Sequence, residues 1–189
     1  MIFTRRTIET VTFALLVASL PAWAQTQNPT CDAIAKMDYL GREYLPGKLR
    51  WQDYAHTPFE QQILRLRGKA IPLLIGCLAD ERKTKLGVWD LWPETTVGMI
   101  AFSMLWDLFT PPGDEPEWSY TMKEVITWDS ICAEAPPDVV NECETGWENH
   151  LRKYGRQSIQ RSWQKAWTEK KDRVYWDPAA EYFRVKKTP

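Results

Sequence analysis

The sequence predicts an all-α fold, a single compact domain of six or seven helices stapled by disulfides. Three observations predict it. Apolar residues recur at three- and four-residue steps along most of the chain, the period of one helix face. Helix-start chemistry punctuates the pattern, as in Thr57-Pro58 followed by Glu60. Four cysteines, Cys31, Cys77, Cys132 and Cys143, follow an export-type N-terminus, where an even count reads as two bridges.

That N-terminus is read as a secretory signal peptide over residues 1–24. Arg5 and Arg6 give a basic start, Val11 to Leu20 an apolar run too short to span a bilayer, and Ala22-Trp23-Ala24 a small-x-small cleavage site. Thr4-Arg5-Arg6 resembles a twin-arginine signal, but Thr7, Ile8 and Glu9 depart from it, so an ordinary basic n-region is favoured. The expected location is a bacterial periplasm or the outside of the cell. No membrane span is expected in the mature chain, 25–189, which is long enough for one domain with a real core. Removing Arg5, Arg6 and Glu9 takes the formal net charge from −1 to −2. That balance argues against a partner bound by phosphate neutralisation, so no nucleic acid is expected.

The helices follow in order. In residues 31–45, Ile34, Met37, Leu40 and Tyr44 line one face, and Gly47 after Pro46 marks the end. From Thr57, Phe59, Ile63 and Leu64 form the buried side of the next helix, with Gly68 as its stop or bend. Residues 69–80 restart a helix with Pro72 in its first turn and little polar face. A loop of about 14 residues, Glu81 to Glu94, is long for a compact domain and reads as an interaction loop. Thr95 or Thr96 then caps an apolar helix through Phe109. Residues 117–133 read as a modest helix, and Val139 to Tyr154 as another closed by Gly155. Ile159, Trp163, Ala166 and Trp167 mark the clearest amphipathic helix. At the end, Asp177-Pro178 favours a last helix over a hairpin pairing 174–176 with 182–185. For the cysteines, Cys31–Cys77 and Cys132–Cys143 are the favoured pairs, the second closing a short loop.

Residues 69–109 resemble one helical hairpin of the HEAT-repeat kind. "KAIPLLIGCLAD" is similar to that family's first helix and "TTVGMIAFSMLWDLF" to its second, with the 81–94 loop as the departure. No second copy is evident. The resemblance implies antiparallel helix packing and a scaffold that binds proteins.

No motif names a reaction. His56 and His150 have no serine elbow near them, so both are expected to be solvated or hydrogen-bonded structural residues. With those two imidazoles and no CxxC, neither a metal nor a cofactor is expected. The oddity is tryptophan: the mature chain has it at 51, 89, 92, 106, 118, 128, 147, 163, 167 and 176. Trp106, on the apolar helix, is expected in the core. Trp89 and Trp92, in the long loop beside Asp90 and Glu94, divide evenly between core plug and exposed anchor. The reading leans away from an enzyme. The chain is expected to be an exported protein-binding module, such as an envelope inhibitor or immunity-type protein. Its partner would be another envelope or secreted protein, held by Trp89, Asp90, Trp92 and Glu94. A sugar-active protein using Asp90, Glu94, Asp107, Asp114, Glu115 or Glu117 with Trp89, Trp92, Trp106 and Trp118 is the alternative. A structural part of an envelope assembly is the third.

Overall fold

The computed structural model describes residues 28–37, 58–85, 95–109, 127–137, 139, 142–179 and 182–186. The predicted signal peptide lies outside them. Helix α1 (Pro29–Lys36) starts where Asn28 caps it, its side-chain oxygen accepting from the Thr30 N–H at 3.0 Å, with Pro29 in a first turn that needs no N–H. It ends at Met37, whose backbone is extended (ψ 134°), and Leu40 and Tyr44 of the expected face lie outside the described residues. Helix α2 (Pro58–Leu66) opens on its proline as predicted and buries Glu60 and Ile63. The bend falls one residue before Gly68: Arg67 takes φ 49°, left-handed backbone that disfavours a side chain.

Helix α3 (Ala70–Ile75) carries Pro72 in its first turn and buries Ala70, Ile71, Leu74 and Ile75. It is shorter than expected, and turns carry the chain to Asp80. Helix α4 (Val97–Phe109) is capped by Thr96, whose hydroxyl accepts from the Met99 N–H at 3.4 Å. Every residue from Val97 to Leu105 is buried, which makes α4 the central helix. α3 packs against it. Close approach there depends on Gly98: its N–H donates to the Asp80 carbonyl at 3.0 Å, and a Cβ would sit 2.4 Å from the Leu78 carbonyl oxygen.

Helix α5 (Trp128–Cys132) starts where Thr127 and Ser130 cap it reciprocally, and residues 117–126 of the expected helix lie outside the described residues. The Ser130 N–H donates to Thr127 Oγ1 at 3.1 Å and the Thr127 N–H to Ser130 Oγ at 2.8 Å. Helix α6 (Glu142–Tyr154) lies directly on α5 through Gly146, where an added Cβ would meet the Ile131 carbonyl oxygen at 1.9 Å. Gly155, at φ 75°, closes α6 with its N–H donating to the Leu151 carbonyl at 2.9 Å, the predicted cap. Helix α7 (Gln157–Lys170) follows at once and buries Ile159, Trp163 and Ala166, as its amphipathic pattern predicts.

The C-terminus corrects the all-α expectation. β1 (Val174–Asp177) and β2 (Tyr182–Val185) pair antiparallel, Val174 opposite Val185 and Trp176 opposite Phe183. β-branched and aromatic residues favour the pleated surface. Asp177, read as a helix cap, instead accepts from the Ala179 N–H at 3.0 Å and starts the turn.

Both favoured disulfides are present: Cys31–Cys77 ties α1 to the turn after α3, and Cys132–Cys143 ties α5 to α6. A chain of rings runs through the core. Trp147 meets Phe102 at 5.4 Å, Phe102 meets Trp163 at 6.3 Å, and Trp163 meets Phe109 at 5.9 Å. Phe109 then meets Phe183 at 5.6 Å, and Phe183 meets Trp176 at 5.0 Å. The hairpin is therefore part of the core rather than an appendage. Among the described residues no helix is long and apolar enough to cross a membrane.

Candidate functional site

Trp89, Asp90, Trp92 and Glu94 lie outside the described residues, as do His56, Asp114, Glu115, Glu117 and Trp118. What the structure places is the base on which the 81–94 segment stands. Lys83 and Thr96 form an antiparallel bridge. The Thr84 N–H donates to the Thr95 carbonyl at 2.9 Å, the two threonine hydroxyls lie 2.5 Å apart, and the Val97 N–H donates to the Arg82 carbonyl at 2.9 Å. Thr95 is itself buried. The two ends of the segment are thus held side by side on the start of α4.

Charge fixes the outgoing stem. The Arg82 guanidinium binds Asp80 Oδ2 at 2.6 Å and Asp32 Oδ1 at 2.6 Å, joining stem to α1 beside the Cys31–Cys77 bridge. Partial burial works to raise the Asp80 carboxyl, but its hydrogen bonds and charge contact with Arg82 outweigh this and hold it below the ordinary value. The Arg82 guanidinium is pushed up by the same two carboxylates.

A second polar cluster stands beside this base, at the corner between α6 and α7. Of the two settings expected for His150, solvated or hydrogen-bonded, it takes the second. It is buried, at 5% exposure, and both ring nitrogens are engaged, one of them with a serine hydroxyl that the sequence reading did not place near it. Nδ1 lies 2.6 Å from Glu134 Oε1, and Nε2 lies 3.0 Å from Ser158 Oγ. The Ser158 hydroxyl also donates to the Gly155 carbonyl at 2.6 Å. The order is carboxylate, imidazole, hydroxyl.

Three elements make this cluster. The Cys132–Cys143 bridge and the α5–α6 contact at Gly146 bring Glu134 back over α6, where Asn149 Nδ2 donates to the Glu134 carbonyl at 3.1 Å. Gly155 turns the chain so that the first turn of α7 faces the last turns of α6. Arg156 and Gln160 then dock the corner: Arg156 Nε lies 2.9 Å from Glu81 Oε1, and Gln160 Nε2 donates to the Ile75 carbonyl at 3.0 Å. The exposed Tyr154 ring packs 4.9 Å from the His150 ring.

Trp106 is half-buried, not core as expected, because it falls with Asp107 on the outer side of α4 near its end. Trp147 and Trp163 are buried, and Trp167 and Trp176 pack on the core partly exposed. All four cysteines are in disulfides, and among the described residues no group of three or more His, Cys, Asp or Glu is placed to hold a metal ion. No protein family, curated protein or solved structure matches the chain.

Proposed function

We propose that the protein is an exported, disulfide-stapled binding module. It holds an envelope or secreted protein through Trp89, Asp90, Trp92 and Glu94, in the manner of an inhibitor or immunity-type protein. The observation that carries this reading is the pinned base of the segment. A bridge at Lys83 and Thr96, buried Thr95 and the Arg82 ion pairs restrict where the ends of a Trp-containing loop can go. Restricting the ends of a binding loop lowers the ordering cost of association. Tryptophan is the residue type most enriched among interface anchors. The two disulfides suit an oxidising compartment such as a periplasm.

The test compares the mature protein with a Trp89→Ala/Trp92→Ala form as baits for solubilised cell envelope. The expected result is a discrete partner retained by the first and lost by the second, with the melting temperature of the double variant unchanged. A partner held equally by both baits, or by neither, refutes the reading.

A further inference from the structure

We propose that Ser158, His150 and Glu134 form a nucleophilic centre that hydrolyses a short acyl ester, an activity separate from partner binding by the 81–94 segment. Three features of the α6–α7 corner carry this. The first is geometry. An imidazole that serves as general base needs its far nitrogen fixed by an acceptor and its near nitrogen within hydrogen-bond reach of the nucleophile. Glu134 holds Nδ1 at 2.6 Å, and Nε2 lies 3.0 Å from Ser158 Oγ. The Ser158 hydrogen now points to the Gly155 carbonyl at 2.6 Å. Turning it to Nε2 requires rotation about the Cβ–Oγ bond alone.

The second feature is the place of the serine. Ser158 is in the first turn of α7, a helix of 14 residues. Backbone N–H groups of a first turn have no intrahelical acceptor, and the helix dipole is positive there. Ser158, half-buried, is presented at this positive end of α7, with Ile159 behind it fully buried in the core. The third is access. The base is buried, but Ser158 is only half-buried and the turn before it is open: a Cβ built on Gly155 would meet nothing within 4 Å, and Tyr154 is 48% exposed. An open corner with one aromatic face suits a small acyl group carried on a larger molecule.

The chemistry balances with water as the only co-reactant. Ser158 Oγ bonds to the ester carbonyl carbon while its proton passes to His150 Nε2. Glu134 remains ionised and stabilises the imidazolium. The tetrahedral intermediate collapses, the carbon–oxygen bond to the leaving alcohol breaks, and that alcohol takes the proton from Nε2. Water then attacks the acyl-serine with His150 as base. The acid leaves, and the proton returns to Oγ. Glu134 is a positioning residue, and Ser158 and His150 are the catalytic ones.

The test uses a fluorophosphonate probe, whose phosphorus bonds to a nucleophilic serine oxygen with loss of fluoride. The folded mature protein is expected to carry the adduct on Ser158, and heat-unfolded protein is expected to carry none. Ser158→Ala abolishes labelling. His150→Gln slows it by at least about 100-fold, the lower end of what a general base contributes. Glu134→Gln slows it too and removes the far-downfield His150 Nδ1–H proton resonance, which a merely structural change elsewhere would leave in place. Hydrolysis of p-nitrophenyl acetate should follow the same order. Absence of a Ser158 adduct on the folded wild-type protein overturns the proposal, whether or not the variants fold. So does equal labelling of the unfolded chain, or of a folded His150→Gln variant. The Trp89→Ala/Trp92→Ala form should label like wild type, so loss of partner binding leaves this result intact.

Discussion

Replacing Gly146 by alanine should destabilise the protein, although alanine is the better helix former by about 1 kcal/mol. Gly146 lies in the middle of α6, and its Cβ would be 1.9 Å from the Ile131 carbonyl oxygen, 2.8 Å from the Ile131 carbonyl carbon and 3.2 Å from the Cys132 Cα. All three are backbone atoms, and none is the end of a side chain that could swing away. Restoring an ordinary contact of 3.4 Å to the oxygen means separating the helices by about 1.5 Å along that line. The Cys132–Cys143 bridge ties the same two helices and resists this. Moving α6 would also draw Trp147 off Phe102 and His150 off Ser158. Overpacking of this kind costs about 1–3 kcal/mol before lost core contacts are counted. We expect a net loss of about 2–3 kcal/mol, a fall in Tm on the order of 5–10 °C. Gly68→Ala is the internal control, since its Cβ would meet only the edge of Phe183 at 3.9 Å. It should leave Tm unchanged or raise it slightly, by the equivalent of about 0.4–1 kcal/mol. Differential scanning calorimetry of both variants decides. A Gly146→Ala protein as stable as wild type would refute the direct backbone contact between α5 and α6.

Other consequences follow from the same contacts. Trp163, fully buried in the middle of the ring chain, should cost about 3–5 kcal/mol on truncation to alanine, read from urea midpoints. Removing the Cys31–Cys77 bridge, which closes 46 positions, should cost about 4 kcal/mol; removing Cys132–Cys143, which closes 11, should cost about 3 kcal/mol. Calorimetry of the two paired Cys→Ala proteins tests that order. Asp80 has its carboxyl held below the ordinary value by Arg82, so the unfolded chain binds its proton first as pH falls. Stability from this pair should be intact above about pH 4 and decline as pH falls through the lowered folded value. Asp80→Asn should flatten that part of the urea-midpoint profile. Arg82→Ala should cost no more than about 1 kcal/mol at neutral pH, because the guanidinium is half exposed.

Much of this architecture was legible because it rests on local chemistry. Pro58, Pro72, Thr96 and Gly155 mark helix ends that a sequence states directly, through missing donors, capping hydroxyls and left-handed backbone. Periodicity placed Ile159, Trp163 and Ala166 on one buried face. The C-terminal hairpin was misread because Asp177-Pro178 suits a helix start and a tight turn alike. Its strands were decided by Phe183 and Trp176 joining the distant Phe109, a tertiary contact no local window contains. Trp106 was placed inside by its helix period, whereas the last turn of α4 leaves its outer side half open.

The polar cluster was missed for a related reason. His150 and Ser158 sit eight positions apart, and the Gly155 cap read from the sequence implies a corner between them. That corner was the available signal for the pair. Glu134 is delivered by the Cys132–Cys143 bridge and by the clearance at Gly146, so its approach to His150 depends on α5–α6 packing.

Photo-crosslinking probes whether the segment between the Lys83–Thr96 stems is the partner-binding face that we propose. A photoreactive residue would replace Asp90 in one mature protein and Lys165, on the exposed side of α7, in another. Each would be irradiated in solubilised cell envelope and resolved by mass. One discrete covalent partner is expected from position 90 and none from position 165. No adduct from position 90, or the same adducts from both, would contradict it.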